Sequence, residues 1–285
     1  MIWCSRIVNG QINPLKSAKL GPDNVLAICE NNKVKGSFVV LFSNGRLDMY
    51  KLSGDVPVFE KRIKENLVVK GLSRIEVNRQ NIYIMSNGQL IEITNYLNAP
   101  NLKVFNGVST FKFVNDYLFL AKNNVIETYN FQNSIGGSKL INTQSLIDFT
   151  ITALDFDVKN KQLILGSRKG DMAIHGISGT SDGFEYIRKV HNSQISGIQW
   201  VEGLNNTNSV ITSSYDHQIK LFTLGDLRKN TNIVKIYAHD SWIYGSEWIS
   251  VNGTSGLLTA SEDKSLKFNI FTLEDLYKTV SNGSK

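Results

Sequence analysis

Tight polar turns flanked by apolar runs recur along this chain and predict an all-β fold of the β-propeller class. The turns fall at Asn44-Gly45, Asn87-Gly88, Asn123-Asn124, Lys169-Gly170, Asp216-His217 and Asp263-Lys264, at separations of 43, 36, 46, 47 and 47 residues. Each lies between a strand-like apolar run and a second run in which apolar and polar residues alternate. A repeat of about 40 residues with strands on both sides of each turn is what a radial array of small sheets requires.

The first unit reads Val25-Leu26-Ala27-Ile28, then Phe38-Val39-Val40-Leu41-Phe42, a turn at Ser43-Asn44-Gly45, and Leu47-Asp48-Met49-Tyr50. Short β-rich runs bounded by Asn-Gly are the strongest local hairpin signal. The triplet returns at Ser86-Asn87-Gly88, between Ile82–Met85 and Leu90–Ile93. A weaker version follows Tyr117–Leu120, where Asn123-Asn124 leads into Val125–Tyr129. The fourth unit runs through Ile151–Phe156, Leu163–Ser167 and Asp171–His175.

The fifth and sixth units superpose residue by residue. His191 and His239 each stand nine residues before a tryptophan, Trp200 and Trp248, and core packing is expected for both tryptophans. Val210–Asp216 and Leu257–Asp263 follow, then Ile219–Phe222 and Leu266–Asn269. These two units resemble the WD-repeat family. In that family a histidine before the first strand, a serine or threonine in the second and an aspartate in the next turn are hydrogen-bonded inside each blade. The resemblance implies one such chain from His191, Thr212 and Asp216, and a second from His239, Thr259 and Asp263. The family's tryptophan position holds Phe222 and Asn269, so the last link is altered.

The fold expected is therefore a β-propeller of six recognisable units, with six or seven four-stranded blades. The run Ile2–Val8 is expected to close the ring as the outer strand of the last blade, since a closed ring leaves no free edge. Residues 1–272 form one domain on this reading. The stretch 273–285 follows as a C-terminal cap or tail, with helical spacing at Leu273, Leu276 and Val280.

Composition narrows the function. Two cysteines, Cys4 and Cys29, make no disulfide framework and no zinc-ligand spacing, so free thiols in a reducing compartment are expected. Residues 1–6 lack a secretory h-region and no apolar run approaches a membrane span, which predicts a cytosolic or nuclear protein without membrane insertion. The net charge is +6, but the basic pairs Lys61-Arg62, Arg168-Lys169, Arg188-Lys189 and Arg228-Lys229 stand apart without interleaved aromatics. Charged strand edges and turns account for that pattern, and nucleic acid is not an expected partner.

No phosphate loop, HExxH or nucleophile-elbow motif occurs, and the four histidines show no metal spacing, so no cofactor and no metal are expected. His239-Asp240-Ser241 has the letters of a hydrolase triad. Neighbours along a strand, however, would point to opposite faces. The expected function is a non-catalytic scaffold docking other protein subunits, with Tyr215, His217, Trp242 and Tyr244 as candidate contacts. The segments Ser213–His217 and Ala238–Trp248 also resemble motifs of the WD-repeat diphthine methyl esterases, which act in diphthamide synthesis on elongation factor two. That resemblance implies, as the alternative, a carboxylic ester hydrolase.

Overall fold

The computed structural model describes residues 2–270, except 9–10, 19–21, 32, 54–55, 72, 79–80, 131–138, 147, 177–183, 203–207, 230–232 and 252–253. The C-terminal cap or tail expected at 273–285 lies outside the described residues. By contacts the chain divides into two compact units, residues 1–108 and 109–285.

In the first unit, Ile2–Val8 (β1) pairs with Gln11–Ala18 (β2) as a two-stranded sheet. Two four-stranded antiparallel sheets follow in chain order. One holds Val25–Glu30 (β3), Ser37–Phe42 (β4), Leu47–Ser53 (β5) and Val56–Lys64 (β6). The other holds Ser73–Asn78 (β7), Asn81–Ser86 (β8), Gln89–Thr94 (β9) and Asn101–Asn106 (β10).

The second unit repeats the plan. Thr110–Val114 (β11), Tyr117–Lys122 (β12), Val125–Asn130 (β13) and Lys139–Ser145 (β14) form its first sheet. Ile151–Asp157 (β15), Gln162–Ser167 (β16), Asp171–Gly176 (β17) and Phe184–Lys189 (β18) form the next. Then come Ile195–Glu202 (β19), Asn208–Ser214 (β20), Gln218–Thr223 (β21), a helical turn at Leu224–Lys229 (α1) and Val234–Tyr237 (β22). Ile243–Val251 (β23), Thr254–Ser261 (β24) and Leu266–Ile270 (β25) form the last sheet, three-stranded among the described residues. Six antiparallel meanders in chain order are the blades of an all-β, six-bladed propeller.

One expectation is corrected. Among the described residues, Ile2–Val8 pairs with Gln11–Ala18 in a sheet of its own and not with the strands of the last sheet. Closing a two-residue connection costs far less chain entropy than joining strands separated by nearly the whole sequence. The Asn9-Gly10 dipeptide between β1 and β2 is the sequence signal for that hairpin.

Burial explains why the central strands form where they do. Val39, Val40, Leu41 and Phe42 are fully buried on both faces of their sheet, as are Leu163, Ile164 and Leu165. Outer strands are different: on β6, Val58 and Phe59 remain 48% and 51% exposed.

Within the second unit, successive inner strands are tied by a repeated pair of hooks. Each of β15, β19 and β23 carries a register shift, at Ile151/Ala153, Ile195/Gly197 and Ile243/Gly245. The residue inside each bulge is re-aimed out of the ladder. In β15 this is Thr152, whose hydroxyl donates to the Ile195 carbonyl at 2.7 Å; in β19 it is Ser196, whose hydroxyl donates to the Ile243 carbonyl. Three residues on, Asp155 accepts the Trp200 N–H at 2.7 Å and Gln199 accepts the Trp248 N–H. In β23 the bulge residue is Tyr244.

The turns supply the required left-handed residues by two routes. Asn87 and Gly88 both have positive φ, 49° and 72°, and form a two-residue loop between the paired Ser86 and Gln89. In the last three blades one residue takes that role: Gly170 (φ 90°), His217 (70°) and Lys264 (66°), each amide donating back to the serine three residues earlier. A Cβ on Gly170 would lie 2.1 Å from the His191 carbonyl oxygen. Gly170→Ala is therefore expected to lower stability by at least about 1–2 kcal/mol. His217→Gly, relieved of left-handed strain, should raise it by about 0.5–1 kcal/mol. Urea unfolding midpoints check both directions.

Candidate functional site

His191 lies in the connection before β19, Thr212 on β20 and Asp216 in the turn after it. Their side chains form one chain. His191 Nδ1 is 3.0 Å from both Asp216 carboxylate oxygens, and its Nε2 is 2.8 Å from Thr212 Oγ1. The amides of Asn192 and Gln218 donate to the same carboxylate at 2.9 and 3.1 Å. The next blade repeats the arrangement. His239 Nδ1 is 2.9 Å from Asp263 and its Nε2 is 2.8 Å from Thr259 Oγ1. The Ser265 hydroxyl and amide and the Asp240 amide also donate to Asp263.

A lysine closes each network, and the sequence carries no signal for it beyond strand alternation. Lys220 Nζ donates to the Val190 carbonyl and Lys267 Nζ to the Ala238 carbonyl, the latter at 2.7 Å. Each lysine thus ties a third strand to the segment carrying its histidine. Burial lowers the Lys220 pKa despite the nearby Asp216.

The protonation pattern follows from partners. Burial pushes the His191 imidazole below its ordinary value, although Asp216 attracts its proton. Burial would raise Asp216, but the His191 hydrogen bond and charge and the two amides outweigh it, leaving the carboxyl at about 2. The arrangement that satisfies every group is neutral His191 donating from Nδ1 to Asp216, with the Thr212 hydroxyl donating into Nε2. For Asp263, the Ser265 hydroxyl is the first cause of a strongly lowered pKa, followed, after an opposing burial effect, by the Ser265 amide and His239.

A hydroxyl, an imidazole and a carboxylate in series have the connectivity of a hydrolase triad. Here Thr212 and Thr259 are buried, and the same series stands in two adjacent blades, so it works as internal bracing. The reason for rejecting a triad at His239-Asp240-Ser241 is corrected: these residues precede β23 in a loop, so strand alternation does not apply. What separates them is bonding. His239 turns to Asp263 and Thr259, while the Ser241 hydroxyl donates to Glu262 at 2.8 Å.

Three of the four candidate contact residues come together. Tyr215, immediately before Asp216, stacks parallel on Trp242, three residues after His239, with centroids 5.0 Å apart and 4° between planes. The bulge residue Tyr244 meets Tyr215 edge-on at 6.1 Å. Trp242 is 46% exposed and Tyr244 37%. His217 is half-buried on the same turn as Tyr215 and makes no ring contact with the cluster.

Glu262 edges this aromatic surface. It accepts from the Ser241 hydroxyl, and its amide donates to the Trp242 carbonyl at 3.0 Å. Burial, and then the proximity of Tyr244 and Glu262, raises the Tyr215 phenol. Trp200 and Trp248 are half-buried and pack against the cores of the last blades. Among the described residues, no group of three or more His, Cys, Asp or Glu side chains is placed to hold a metal ion. Nor is any helix there long and apolar enough to cross a membrane. Cys29 is a free, half-buried thiol whose pKa is raised mainly by burial.

Removing the His191 ring leaves Asp216 and Thr212 without their partner, so His191→Ala should cost about 1–3 kcal/mol in urea unfolding. Acid should act in two windows. A lowered histidine pKa means the unfolded chain binds the extra proton first, so stability falls as pH drops below 6.5. A lowered carboxyl pKa contributes stability above 3.8 that is lost as pH falls toward about 2. The upper window should shrink in His191→Ala, read from midpoints across pH.

No protein-family model and no curated protein matches the sequence. Solved structures do match, 1373 chains in all, so the fold is widespread and does not by itself specify an activity. One is a chain in the crystal structure of the mitotic checkpoint complex, at 15% identity and a TM-score of 0.66 over 91% of this chain and 78% of that one.

Proposed function

We propose that this protein is a non-catalytic, WD-repeat-like scaffold of the cytosol or nucleus that docks protein partners through the surface of Tyr215, Trp242 and Tyr244. The observation that carries this reading is an exposed aromatic cluster held in fixed geometry by the turns of two adjacent blades. Rigid aromatic anchors bury large areas at little cost in side-chain entropy, and such residues dominate binding energy at interfaces. The likeness to a chain of a multiprotein complex supports a role among protein subunits. Two of the three histidines in these blades, His191 and His239, are engaged in bracing.

Capture of the tagged full-length protein at mild salt should recover stoichiometric protein subunits. Trp242→Ala combined with Tyr244→Ala should reduce that recovery about tenfold or more while the thermal midpoint stays near that of the parent. Undiminished recovery would refute this docking surface.

One observation favours the esterase as a second reading. Ser213–His217 and Ala238–Trp248, the two segments resembling the diphthine methyl esterases, meet at the Tyr215–Trp242 stack. Cells lacking the protein would then accumulate methylated diphthine on elongation factor two, visible as a mass increment on that residue. Unchanged diphthamide would eliminate the esterase.

A further inference from the structure

We propose that the Trp242 platform receives the guanidinium of an arginine side chain presented by a partner protein. This rests on the docking reading above and names the chemistry of its central contact.

The surface joins an aromatic face to a negative charge. Tyr215 covers one side of the Trp242 indole, and Trp242 remains 46% exposed. The Glu262 carboxylate accepts from the Ser241 hydroxyl, and the Glu262 amide holds the residue to the Trp242 carbonyl at the edge of this surface. The serine donor is not a cation, and among the described residues Glu262 makes no ion pair. Asp240, two residues before Trp242, is exposed beside the same loop and likewise makes no ion pair among them. No cation of the described chain lies over Trp242, whereas Arg46 and Lys103 do cover aromatic rings elsewhere, Phe42 and Phe105. In a chain with net charge +6, an aromatic surface edged by uncompensated carboxylate is complementary to a positive group supplied from outside.

Geometry selects among cations. Tyr215 and Trp242 lie parallel with centroids 5.0 Å apart, which leaves no room for a cation between the rings. A quaternary or methylated ammonium is bound best when several ring faces surround it, and this surface is a platform rather than a cage. A guanidinium is flat: it stacks on one indole face while its edge N–H groups reach a neighbouring carboxylate as a fork. Lysine can offer charge to Glu262 but no planar stack.

The test uses the full chain and short blocked peptides of sequence Gly-Ser-X-Ser-Gly, followed through the indole N–H resonance of Trp242, which Trp242→Phe identifies. With X as arginine, that resonance should shift on titration, with affinity about tenfold above the lysine peptide. The neutral isostere citrulline should give no shift, and Glu262→Gln should weaken the arginine peptide by about tenfold. Equal response to citrulline, tighter binding of trimethyl-lysine, or indifference to Glu262→Gln would overturn the proposal. Partner capture separates the two levels. Loss of capture in Trp242→Ala without any arginine-peptide shift refutes arginine and leaves docking intact, whereas unchanged capture in that variant refutes both.

Discussion

The carboxylates of Asp216 and Asp263 are the groups on which the last two blades depend. Each gathers an imidazole and at least two backbone amides around one turn, and each histidine passes the connection to a buried threonine one strand away. A carboxylate held this way is stable only while every donor stays in place, so the turn, the preceding loop and the middle strand are fixed together. The aromatic platform is a by-product of that fixation. Tyr215 directly precedes Asp216, and Trp242 follows His239 by three residues, so two braced loops bring the rings into parallel contact.

The first unit solves the same problem with other residues. Asp48, only 1% exposed, lies between Arg46 and Arg62 at 2.8 and 3.0 Å, and Arg46 also covers the Phe42 ring at 4.0 Å. In the second blade the Tyr83 hydroxyl donates to the buried Glu92 at 2.8 Å. Strand geometry is common to the blades, whereas the bracing chemistry is local. That explains why the histidine–aspartate pattern was readable only in the last two repeats.

Legibility in the sequence followed burial. Runs such as Val39–Phe42 and Leu163–Ser167 are buried on both faces and read as continuous apolar strands, so every central strand was visible. The outer strands β6, β10 and β14 were not, because exposed Val58, Val104 and Ile141 break any alternation of apolar and polar residues. The hairpin of β1 and β2 was missed because a global argument about ring closure outweighed the local Asn9-Gly10 signal. Of the site, the candidate residues were named from their positions near turns. The stack of Tyr215 on Trp242 was not legible, since it depends on two loops 27 residues apart in sequence meeting across adjacent blades. The glycines following Ser196 and Tyr244 were the available hint that those side chains leave the ladder.

The bulge position has a consequence for how this surface can change. Thr152 and Ser196 are constrained there, since each must reach a carbonyl on the following strand. At Tyr244 the side chain instead meets the Tyr215 ring edge-on and is open to solvent. Repetition thus leaves its final copy with a spare seat, one where evolution or a designer can exchange residues to alter what is recognised while the load borne by the inner strands stays where it is.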